Sequence, residues 1–83
     1  MNVEDELRDL ARADSHIDAC QARIRRQIAL IRQLPADSHV CELALKLLST
    51  LQHSLEAERM HRDLIVRILA DESAGSRPRI TED

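Results

Sequence analysis

The chain has 83 residues, 43% of them hydrophobic, yet it contains no Phe, Tyr or Trp, and its 12 basic and 15 acidic residues leave a formal charge of −3. That length allows one domain, and a lone domain of this size buries only about 60% of its unfolded surface, so it needs disulfides, metal or self-association. Two cysteines are too few for a disulfide framework, no Cys/His pair has zinc spacing, and the charge is too balanced to imply a nucleic-acid or membrane partner; self-association is the route left.

The first ten residues, MNVEDELRDL, are acidic and lack an apolar stretch, so they do not read as a secretory signal. No run of about 18 apolar residues exists to span a bilayer. The expectation is a soluble cytoplasmic protein with reduced thiols. Lys46 is the only lysine, and the arginine bias reads as a GC-rich bacterial coding sequence.

The first helix is expected over residues 3–34. Asn2 can cap it, and Glu4, Asp5 and Glu6 suit its positive end. Val3, Leu7, Leu10, Ile17, Ile24, Ile28 and Ile31 recur at steps of three and four, with Asp14 and Gln21 filling the polar gaps. A second stripe, Ala13, Cys20, Gln27 and Leu34, runs beside it. Pro35 disfavours helix at Leu34, so a turn is expected over 35–37, with Asp37 or Ser38 capping the second helix.

The second helix is expected over 38–72. Ala44, Leu48, Leu51, Leu55, Ile65 and Leu69 form one seam, broken by Glu58 and Arg62; Leu43, Leu47, Leu64 and Ile68 form an adjacent one. Gly75 and Pro78 should end it, closing a hairpin domain over 1–75, with 76–83 a disordered tail.

Two helices of roughly 45 Å joined by a short turn must run antiparallel. With the turn centred near Ala36, facing residues should have numbers summing to about 72. That register sets Asp5 and Asp9 beside Arg67 and Arg62, and Asp14 across from Glu58. The apolar stripes are wider than one neighbour can cover. The expected architecture is therefore all-α, a helical hairpin that dimerises into a four-helix bundle. Ile24, Ile28, Ile31, Leu47, Leu48, Leu51, Leu55 and Ile65 are the expected association residues.

Few residues suggest chemistry. Glu58-x-x-His61 has the spacing by which di-iron bundles place an acid and an imidazole on one face, and Asp14 would join it. An acid and a histidine three apart also arise by chance in a chain that is 33% charged, and the wider set of inward carboxylates is missing. No metal, cofactor or enzymatic activity is expected; Asp14, Glu58 and His61 are the alternative. Asp14, Gln21, Glu58, His61 and Arg62 read instead as a polar layer that fixes register and oligomer state at some cost in stability. Arg23, Arg25, Arg26 and Arg32 cluster where the helix dipole favours cations. They make a weak nucleic-acid or anion patch, with no aromatic partners for stacking. His16 and His53 should lie outside, and His39 near the cap. Cys20 and Cys41 are too far out of register to bond within one hairpin.

His16-Ile17, Arg23-Ile24-x-Arg26-Gln27-x-x-Leu30-Ile31, Leu47-Leu48-x-x-Leu51 and His61-Arg62-x-x-Ile65 resemble segments of a group of small helical-hairpin proteins of alphaproteobacteria. The resemblance spans most of both helices. It departs at Ser38-His39, where that group often has Gly-His. It implies the same hairpin and no activity. The expected function is thus non-catalytic: an assembly or adaptor module acting through protein–protein contacts.

Overall fold

Asn2 starts the first helix as a side-chain cap. Its backbone is extended, its Oδ1 accepts from the Glu4 N–H at 2.9 Å, and its carbonyl accepts from the Glu6 N–H at 3.2 Å. The structure, a computed structural model, describes residues 2–75, with side chains placed through Ser73. Within them α1 spans Val3–Ile31 and α2 spans His39–Gly75. The two helices pack against each other as an antiparallel hairpin. Among the described residues no helix is long and apolar enough to cross a membrane. The expected tail, 76–83, lies outside the described residues, as does Pro78.

The first helix ends at Ile31, three residues earlier than expected. The Gln33 and Leu34 N–H groups reach carbonyls only three residues back, those of Leu30 and Ile31, which tightens the chain out of the α-helix before Pro35. Leu34 stays half-buried, so it continues the apolar seam from outside the helix. The connection is 32–38 rather than 35–37. No described residue has a positive φ, so the turn closes without glycine. Ser38, not Asp37, is the second cap. Its Oγ donates to the Pro35 carbonyl at 2.8 Å and accepts from the Cys41 N–H at 3.0 Å. The second helix then runs past Glu72 to Gly75. At 37 residues it is about 55 Å long, well beyond the reach of its 29-residue partner.

The facing register is close to the expected one. Cys20 Sγ donates to the Leu51 carbonyl at 3.7 Å, and Gln27 Nε2 donates to the Ala44 carbonyl at 2.8 Å; both pairs sum to 71. On α2 the expected seam holds. Ala44 and Ile65 are buried, and Leu48, Leu51, Leu55 and Leu69 are half-buried; Cys41 extends the seam toward the turn. On α1 the seam is turned by one position. Its buried residues are Ala13, Cys20 and Gln27, the stripe expected to run beside the core. Leu10, Ile17, Ile24 and Ile31 alternate with them at half-buried positions, whereas Val3 and Leu7 are exposed. The reason is size and charge. Ala13, Cys20, Cys41 and Ala44 let the helix axes come close, and none of the buried α1 residues brings a formal charge into the seam, as Asp14 would.

Candidate interaction surface

The interior of this hairpin is one residue thick. Apart from Ile65, its buried positions are small or polar, and no large side chain among the described residues is completely enclosed. Large aliphatics sit at the flanks instead. Leu7, Leu30, Leu43, Leu45, Leu47 and Leu64 are each about half exposed. The radius of gyration is 19.8 Å, against about 12 Å for a compact domain of this length.

The two flanks of the seam differ. One carries Asp14 and Gln21 from α1 and the Arg62 head from α2. The Arg62 guanidinium donates from Nε to Asp14 Oδ1, tying the helices together at a half-buried position. The other flank is an open groove with three successive hollows. Nearest the open end, about 270 Å³ is lined by Asp9, Arg12, Ala13, His16, Glu58 and His61. In the middle, about 330 Å³ lies among His16, Ala19, Cys20, Arg23, Ser54 and Glu58. Nearest the turn, about 410 Å³ is lined by Arg23, Arg26, Gln27, Leu30, Leu47 and Leu51.

This geometry separates residues that spacing had grouped. Asp14 faces Arg62 rather than Glu58, and Glu58 Oε2 lies 3.7 Å from His16 Nδ1. Glu58 and Arg62, four apart on α2, thus each pair across to α1. His61 is exposed and belongs to the groove flank, so the five polar residues do not form one core layer. Nor do Asp14, Glu58 and His61 converge: among the described residues no three His, Cys, Asp or Glu side chains group around a point where a metal ion would sit. Asp5 and Asp9 pair with Arg8 and Arg12 on their own helix, at 3.4 and 3.8 Å, rather than with Arg67 and Arg62. Such exposed pairs contribute about 0–1 kcal/mol each.

The four arginines are all exposed, but they split. Arg23 and Arg26 border the groove; Arg25 and Arg32 do not line it. His53 is exposed, with Nδ1 at 2.8 Å from the Ser49 carbonyl, and His39 lies 3.7 Å from Glu42. Cys20 and Cys41 are buried and free, and in the observed register they sit about three turns apart along the rod. Of the expected association residues, Ile65 is only 3% exposed and is consumed within the hairpin, whereas Leu47 is 49% exposed. Ile24, Ile28, Ile31, Leu48, Leu51 and Leu55 are half-buried, each with part of its surface still open.

The hollows of the groove are open, and among the described residues no metal-ligating set converges in it. What it offers is length, half-covered aliphatics and a change of charge from end to end, which suits another helix. Comparison with protein-family models, with curated proteins and with solved structures finds no match.

Proposed function

We propose that the hairpin is a non-catalytic assembly module that pairs with a second copy to complete a four-helix bundle and offers its remaining helical faces to a protein partner. The observation that carries this is uncovered surface. Leu7, Leu30, Leu43, Leu45, Leu47 and Leu64 each stand about half exposed along the described rod. One helix covers only one seam of its neighbour, so these flanks are surface that a second hairpin would bury.

Leu51 is the residue to change, because it belongs both to the inner seam and to the groove wall. Leu51→Asp should abolish self-association and most of the helicity, measured by light scattering and far-ultraviolet circular dichroism. A Leu51→Asp protein that remains dimeric and helical would contradict the proposal.

A further inference from the structure

Between Val40 and Ile68, α2 carries an outer stripe at alternating steps of three and four that contains no Asp, Glu, Lys or Arg. It runs along the groove flank, through Leu47 and Ser54. The opposite flank of α2 is different, interrupted by Glu42, Glu56, Arg59 and Asp63. An uncharged heptad stripe whose leucines stand half exposed has the pattern of a helix-pairing seam without its helix.

Except at Leu47 and His61, the stripe also reads alike from both ends. Val40 corresponds to Ile68, Leu43 to Leu64, and Leu47 to His61, about a midpoint at Ser54. Large aliphatics lie outward, and the small residues Thr50, Ser54 and Ala57 lie at the centre, where two helices could approach closely. A two-fold interface requires such self-complementarity, since residue i meets j while j meets i.

Charge fixes the direction. The half of the rod near the turn, residues 20–53, holds five basic residues and two acidic ones. The open half, residues 2–19 and 54–75, holds five basic and eleven acidic. Turn-to-turn packing would oppose formal charges of like sign along both halves, whereas head-to-tail packing sets +3 against −6 at each end.

Taking the self-association proposed above as given, we infer that the occupant of the groove face is a second copy of this chain, lying head-to-tail, with the two α2 helices antiparallel about a two-fold axis at Ser54. In that arrangement Leu43 meets the partner's Leu64, and the basic half of each rod lies along the acidic half of the other.

Disulfide mapping on the full chain tests the inference, with sedimentation as the parallel readout. The native thiols are buried and stay in place, and each bond is located by peptide mass. Under mild oxidation Ser54→Cys should link to itself. Leu47→Cys should not link to itself but should link when mixed with His61→Cys. Ser54 is exposed in the hairpin, so Ser54→Glu should leave helicity intact yet weaken association about tenfold or more by placing two carboxylates on the axis. Gln52→Glu, off the stripe, should not. A dimer in which Leu47→Cys links to itself, or in which none of these positions links, would overturn the head-to-tail α2 pairing and leave self-association standing. A protein monomeric by sedimentation would overturn both.

Discussion

Gln27 allows the inner seam to be tested one atom group at a time. It is 9% exposed, and its amide donates at 2.8 Å to the Ala44 carbonyl, itself within a helix and already able to accept from four residues on. Gln27→Ala removes a net hydrogen bond worth about 1 kcal/mol and one buried methylene worth about 0.8 kcal/mol, a total of about 2 kcal/mol. Gln27→Leu keeps the volume and leaves no orphaned acceptor, so it should be within about 1 kcal/mol of the parent. A chain with 74 described residues has on the order of 4–11 kcal/mol of stability in all. The alanine variant should therefore lower the melting temperature by about 8–16 °C. Urea unfolding followed by circular dichroism measures both, at one fixed protein concentration. If Gln27→Leu is as damaging as Gln27→Ala, the amide and not the packing governs the site. If neither matters, Gln27 does not face α2, and the seam on α1 has been assigned to the wrong positions.

Neighbouring residues on α2 should behave oppositely when diluted. Ile65→Ala opens a buried site and should cost about 2–5 kcal/mol at any concentration, while Leu64→Ala, 51% exposed, should cost little in dilute solution and weaken association when concentrated; equal effects would contradict the register. Ser38→Ala should destabilise by about 1 kcal/mol through loss of the cap, and Asp37→Ala by far less; chemical denaturation would expose a reversed order. Both native thiols should react with a soluble disulfide reagent about a hundredfold more slowly in the folded protein than in denaturant, and fast labelling of folded protein would contradict their burial.

Much of the hairpin was legible because punctuation and period agree. Asn2, Pro35 and Ser38 mark element ends by mechanisms that act locally, and the α2 seam recurs from Ala44 to Leu69, broken only at Glu58 and Arg62. The facing sum near 72 followed from turn position alone, and the hydrogen bonds of Cys20 and Gln27 give 71. The α1 seam was harder, because two interleaved heptads share Leu10, Ile17, Ile24 and Ile31. They differ only in whether Asp14, Gln21 and Ile28 or Ala13, Cys20 and Gln27 complete them. Apolar bulk favours the first set, and closeness of approach favours the second. The useful signal was the pairing of small with long residues across the register, Cys20 opposite Leu51 and Ala44 opposite Gln27. The polar cluster was misgrouped for the same reason. Turning α1 by one position carries Asp14 to Arg62 and leaves Glu58 to His16.

The central claim is that the flanks of this thin rod are covered by a second copy. Sedimentation velocity across the micromolar range, at low and high salt, tests it most directly. The expected result is a species of twice the 9.5 kDa chain mass that dissociates to single copies on dilution. A species of 9.5 kDa at every concentration and salt would contradict it.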